Sequence, residues 1–213
     1  MSEQRVATRR YAGKSAEERH ADRRERLLEA GLEIFGTVGY AGSTIEGICS
    51  RARVATRHFY ALFAGKEELL LAVDGAIIDA AAQGIRTALA GAPTDVASRV
   101  RAGLQAYADI FVQDRRRARV HFFDVLGVSG DAETHRRVTG QKLMDLFLGE
   151  GDRFMERGLI PARDLSITSG ALLGATRYAM TDWATNPDAH SVEEVIDELV
   201  RLFVSGLGDA ARP

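Results

Sequence analysis

Residues 43 to 63 read STIEGICSRARVATRHFYALF. Ser43 and Glu46, three apart, match a capping box, which satisfies free N–H groups at a helix start. Ile45, Ile48, Cys49 and Ala52 then share one apolar face over two turns. A second short helix is expected from about Thr56 to Leu62, with Phe59 and Phe63, four apart, turned inward. Two short helices joined by about three residues outline a helix-turn-helix. Burying Phe59 and Phe63 leaves Thr56, Arg57, His58, Tyr60 and Ala61 on the outer face, and that face needs a partner.

Working outward, a preceding helix is expected from about Ala16 to Gly36. Its buried stripe is Leu27, Ala30, Gly31, Ile34 and Val38, and Gly36 and Gly39 break it. Downstream, Lys66-Glu-Glu opens a long helix to about Ala90, with two acids at its positive end. Further helices are expected at about 94–113, 115–127, 131–157, 164–185 and 191–207. The four prolines, Pro93, Pro161, Pro187 and Pro213, all fall between or beyond these runs, where proline ends or starts helices. Alternating strand patterns are absent. The fold class is therefore all-α: a basic arm over 1–15, a helix-turn-helix domain over 16–65, and a larger helical bundle over 66–213.

Of the 213 residues, 27% are charged and 46% hydrophobic, the balance of a globular protein. No run of apolar residues is long enough for a membrane span, and the polar N-terminus is no secretory signal. The single cysteine rules out an internal disulfide and fits a cytoplasmic location; Cys49 reads as a small apolar core residue. Through Lys66 there are 12 Lys+Arg against 8 Asp+Glu, a net of +4, and the remainder is −6. A basic first third on an acidic body suits a polyanionic partner. Arg9, Arg10 and Lys14 of the arm either reach along that partner or stay an unordered tail.

Residues 24 to 70 resemble the DNA-binding domain of the tetracycline-repressor (TetR) family of transcription regulators. The residues that carry the likeness are Leu32-Glu-Ile-Phe35, Gly39-Tyr40, Thr44-Ile45, Ile48, Val54, Phe59-Tyr60, Phe63, and Lys66-Glu67 with Leu69. The resemblance implies a homodimer that binds a palindromic double-stranded DNA operator, acts as a repressor, and is released by an unidentified small-molecule effector. It implies no catalytic residue, cofactor or metal. The DNA contacts expected are Thr44, Thr56, Arg57, His58, Tyr60 and Lys66, with Arg57 best suited to read guanine through its two-pronged guanidinium. Thr44 and Lys66 stand at helix starts, where free N–H groups favour phosphate. The chain departs from the family pattern at Cys49, Leu62 and Arg53. Arg53 sits in the turn, as either a strained residue at positive φ or an extra phosphate contact. Two other readings stay open: an activator, or a small-molecule-binding protein or enzyme that keeps an unused head.

In the bundle, pocket-lining candidates are Tyr107, Phe111, Phe122, Phe123, Leu126, Phe147, Phe154, Arg177, Tyr178, Met180 and Trp183. Arg177 suits either an anionic effector or a salt bridge across a dimer. The last helix carries Val192, Val195, Ile196, Leu199, Leu202, Phe203 and Gly206 at steps of three and four, close to a coiled-coil seam. Gly170, Gly174 and neighbouring small residues of the helix before it allow close approach of another helix. These two helices are the expected dimer interface, through Gly170, Gly174, Val195, Ile196, Leu199, Leu202 and Phe203. His121 and Asp124, three apart, read as a buried pair or as part of a site, with no third metal ligand placed by the sequence. The basic run 115–119 is expected to be a solvated helix start after Asp114. G-L-G-D-A-A at 206–211 mimics a dinucleotide fingerprint but lacks the strand before it.

Overall fold

The structure, a computed structural model, describes residues 15–125 and 130–208. Arg9, Arg10 and Lys14 of the arm, and the pocket candidate Leu126, lie outside the described residues. Every regular element among the described residues is helical: α1 (Ala16–Gly42), α2 (Ile45–Ala52), α3 (Thr56–Tyr60), α4 (Lys66–Gly91), α5 (Val96–Gln113), α6 (Arg115–Arg119), a π-helical turn (Val120–Asp124), α7 (Gly130–Glu156), α8 (Ser166–Thr185) and α9 (Val192–Leu207).

Local chemistry sets most of the boundaries. Ser15 and Glu18 form a capping box that starts α1, and Ser191 and Glu194 form another that starts α9. Asp95 and Asp114 cap α5 and α6 with side-chain oxygens. The cap of α2 is Thr44, whose hydroxyl accepts from the Gly47 N–H at 3.1 Å. Ser43, expected there, instead closes α1: its hydroxyl donates to the Tyr40 carbonyl at 2.7 Å. A side chain in that bond is not free for the next helix.

α1 runs on past Gly36 and breaks at Gly39, where φ is 83°, a conformation glycine adopts without steric cost. Its buried residues are Leu27, Ala30, Gly31, Phe35 and Gly39. Val38 is 57% exposed, because the turn that carries it adjoins the Gly39 kink and nothing packs over it. In α2 and α3 the inward residues are Ile48, Cys49, Ala52, Phe59 and, just beyond, Phe63. The two phenylalanine rings lie 5.8 Å apart. Burial pushes the Cys49 thiol up, away from reactivity.

The bundle packs α4 against α5, and α5 against α9, with α7 and α8 completing it. Its buried side chains are continuous with those of α1–α3. α6 adjoins both parts, so Arg115–Arg119 is a docking segment rather than a solvated helix start. Arg116 lies against Gly36, and a β-carbon built there would meet the Arg116 Cβ at 2.3 Å. Arg119 donates to the Thr37 carbonyl at 2.9 Å and crosses Gly39. Arg115 stacks over Trp183 at 5.2 Å, and Ala118 is buried.

Candidate nucleic-acid interface and ligand cavity

α3 presents what its amphipathic sequence demands. Phe59 is fully buried, while Thr56 and Arg57 are exposed, Tyr60 is 55% exposed and His58 is half-buried. Partial desolvation, with Arg23 and Arg57 nearby, holds the His58 imidazole below its usual range. Its neutral ring can accept or donate a hydrogen bond. Thr44 is exposed at the start of α2.

Lys66 faces partly inward. Its ammonium donates to the Tyr40 and Ser43 carbonyls at 2.7 and 2.8 Å and lies 4.3 Å over the Tyr40 ring. Two of its three N–H donors thus tie the start of α4 to the α1–α2 turn, and one remains. Arg53 adopts the left-handed conformation, φ 53° and ψ 44°. It ends α2 with its N–H on the Cys49 and Ser50 carbonyls, and its own carbonyl accepts from Arg26 at 3.3 Å. The strain is therefore real, and the side chain remains exposed.

Between α4, α5, α7 and α8 lies a cavity of about 420 Å³, within the range of small-molecule sites, about 300–1,000 Å³. Of the expected lining residues, Tyr107, Phe147, Phe154 and Arg177 border it. Phe111, Phe122 and Met180 are packed into solid core beside it. Phe123 and Trp183 flank a separate groove with Arg115, and Tyr178 is 76% exposed. Aromatic spacing alone did not separate these outcomes, because core and pocket share the same periodicity.

The cavity wall also carries a polar cluster that the sequence reading missed. His121 does not pair with Asp124. Its Nδ1 lies 2.7 Å from the Asp74 carboxylate, and His135 Nε2 lies 2.8 Å from the other oxygen. Asp74 is ionised and only accepts, so both ring nitrogens carry hydrogen there. Burial raises the Asp74 carboxyl, but the two histidine hydrogen bonds and charges outweigh it and hold it below the ordinary range. Asp124, one π-helical turn from the cavity, accepts instead from the Tyr40 N–H. In a π-helix, residues three apart no longer share a face, so the expected pair could not form. Arg99 and Glu150 make a buried ion pair at 2.7 Å on the same wall.

The dimer candidates divide. Ile196, Leu199 and Phe203 are buried inside the single chain, and Phe203 stacks edge-on against Phe147 at 5.1 Å. Val195 is half-buried, and Leu202 is 44% exposed. Gly170 and Gly174 are exposed on α8, in a stripe with Ile167, Ala171 and Tyr178 at helical steps.

Residues 27–73 match the family model for bacterial regulatory proteins of the tetR family. That segment, the α1–α3 head and the start of α4, is similar to the DNA-binding part of the tetR family. The HTH-type transcriptional activator FasR of Mycolicibacterium smegmatis is 36% identical over 101 residues, 47% of this chain and 46% of that protein. The chain thus spans about half the length of that curated relative. Among solved structures, the fatty acid degradation regulator FadR from Bacillus halodurans superposes with a TM-score of 0.76 at 16% identity, over 86% of this chain and 98% of that one. FadR from Bacillus subtilis, in complex with stearoyl-CoA, gives 0.77 at 16% identity, over 85% and 98%. At that identity the likeness shows the shared fold.

Proposed function

We propose that this protein is a tetR-family, ligand-responsive DNA-binding transcription regulator that works as a homodimer. The observation that carries the reading is α3. Its fully buried Phe59 fixes a helix whose Thr56, Arg57 and Tyr60 are exposed and, with half-buried His58, face outward together. Such a helix fits a major groove, with Arg57 bidentate to guanine and the neighbours on phosphate or base. Thr44 supports a phosphate contact at the start of α2, and Lys66 has one N–H left for another.

The homodimer interface follows the exposed stripe Ile167, Gly170, Ala171, Gly174 and Tyr178, with Leu202 beside it. Ile196, Leu199 and Phe203 serve the subunit's own core. A dimer places two heads on half-sites of a palindrome. Ala171→Arg should give folded monomers in sedimentation, and a dimer of unchanged affinity would refute this interface.

The effector class we propose is a fatty acyl compound. The cavity is largely apolar, and the Bacillus subtilis relative holds stearoyl-CoA. α4 links cavity to head directly. Lys66 grips the α1–α2 turn, and Asp74, eight residues on and about 12 Å along the helix, borders the cavity. The segment 115–124 supplies a second route, from His121 in the cavity wall to Arg116 and Arg119 against α1. Ligand binding that favours one head spacing changes operator affinity, and DNA changes ligand affinity by the same factor. Repression relieved by the effector is our reading of the direction. The Mycolicibacterium smegmatis relative is named an activator, and operator position relative to the promoter decides between the two.

Selection from random duplexes with the full chain tests the reading. An enriched palindrome supports it, and binding without sequence enrichment at low salt overturns it.

A further inference from the structure

The cavity is apolar over most of its wall, yet it is bordered by four arginines, Arg99, Arg136, Arg137 and Arg177, against two carboxylates, Asp74 and Glu150. Both carboxylates are already committed. Glu150 pairs with Arg99 and Arg153, and the two oxygens of Asp74 hold His121 and His135. The cations are less well served. The Arg177 guanidinium, half-buried on α8, makes no hydrogen bond or ion pair among the described residues. Arg136, facing it from α7, sends one terminal nitrogen outward to Glu133, but its Nε is buried without a partner among the described residues.

Desolvation and the neighbouring Arg136 charge both hold Arg177 below its usual range, which marks two like charges sharing one low-dielectric wall. The Tyr107 hydroxyl, on the same wall, has its ionisation pushed up by burial and so stays a neutral donor. Partly buried cations are costly without a counter-charge. Glu133 holds only one end of Arg136, and Asp74 and Glu133 act on Arg177 only at a distance, so an anion bound in the cavity would complete the pairing.

We propose that the ligand carries a negatively charged oxygen group and that Arg177 and Arg136 hold it inside the cavity, on the wall between α7 and α8. This rests on the acyl reading above and narrows it to an amphipathic anion. The chain of the ligand lies along Leu89, Val100, Phe147 and Phe154. The mouth of the cavity is marked by the exposed residues Arg137, Gly140 and Gln141 of α7. A carboxylate reaches Arg177 as the end of a free acid. A coenzyme A thioester would instead leave its phosphates at the mouth, beside Arg137.

Calorimetry on the full-length protein separates these cases, using dodecanoate, dodecanoyl-CoA and 1-dodecanol. Dodecanoate should bind at least 10-fold more tightly than the alcohol, and Arg177→Gln should remove about 10- to 100-fold of its affinity while leaving the alcohol unchanged. Arg177→Lys should recover part of the loss. A thermal melt shows that each variant is folded, and Arg136→Gln provides a second variant with the same expected direction. Equal affinity for acid and alcohol overturns the proposal and leaves the acyl reading intact. Dodecanoyl-CoA binding that depends on Arg137 and ignores Arg177 also overturns it. Binding of none of the three compounds overturns the acyl reading and this proposal together.

Discussion

Replacing Gly36 by alanine sets two calculable effects against each other. In a helix interior alanine is favoured over glycine by about 0.8–1 kcal/mol. At Gly36, however, the added carbon would stand 2.3 Å from the Arg116 Cβ and 2.9 Å from the Arg116 Cα. The second atom is backbone and cannot rotate aside, so α1 and α6 must part. Overpacking of this kind costs about 1–3 kcal/mol, leaving a net loss of roughly 0–2 kcal/mol once propensity is subtracted. Gly149 in α7 is the control, because a β-carbon there meets nothing within 4 Å. Gly149→Ala should stabilise by up to about 1 kcal/mol. For a chain of this size each kcal/mol moves Tm by about 2–4 °C, so thermal unfolding followed by circular dichroism resolves opposite signs for the two variants. A rise in Tm for Gly36→Ala comparable to that of Gly149→Ala would show that α1 does not press on α6. The proposed route from segment 115–124 to the head would then be lost.

Two further outcomes follow from single side chains. Arg53→Gly relieves a left-handed residue worth about 1–2 kcal/mol against a glycine entropy cost of about 0.5–1 kcal/mol, so the denaturation midpoint should rise slightly. A fall in the salt slope of DNA binding by about one unit in the same variant would add a phosphate contact to its role, and a lower midpoint would refute the strain. Asp74 has a folded pKa below its unfolded value of about 3.9, so the stability it supplies is complete above about pH 5 and is lost as pH falls through the folded value. Urea midpoints should therefore drop more steeply from pH 6 to pH 3 in the wild type than in Asp74→Asn, and parallel curves would contradict the paired carboxylate.

Most helix boundaries and the head were legible because they rest on local chemistry, such as the Phe59–Phe63 spacing and prolines between runs; the end of α1 was not, since it runs past Gly36 and takes Ser43 for its own close. Arg53 was legible as a question, since its position in the turn raised positive φ before any coordinates. What sequence spacing did not reveal depends on contacts far along the chain. His121 pairs with Asp74, 47 residues away, rather than with its near neighbour Asp124. The seam of α9 reads identically whether it faces a second copy or its own subunit, and Ile196, Leu199 and Phe203 turned out to face their own. Arg115–Arg119 reads as solvated by composition, but Gly36 of α1 lets its backbone come close and Gly39 leaves room for the Arg119 guanidinium. Its charged ends reach carbonyls, the Asp114 carboxylate or the Trp183 ring while its stems pack.

The most direct test of the account is reciprocal titration of one selected duplex with the full-length protein, with and without a saturating acyl ligand. The account predicts that ligand changes the duplex Kd by about 5–150-fold, the usual coupling of 1–3 kcal/mol, and that saturating duplex changes the ligand Kd by the same factor. Tight binding of both, with neither affinity altered by the other, would contradict it.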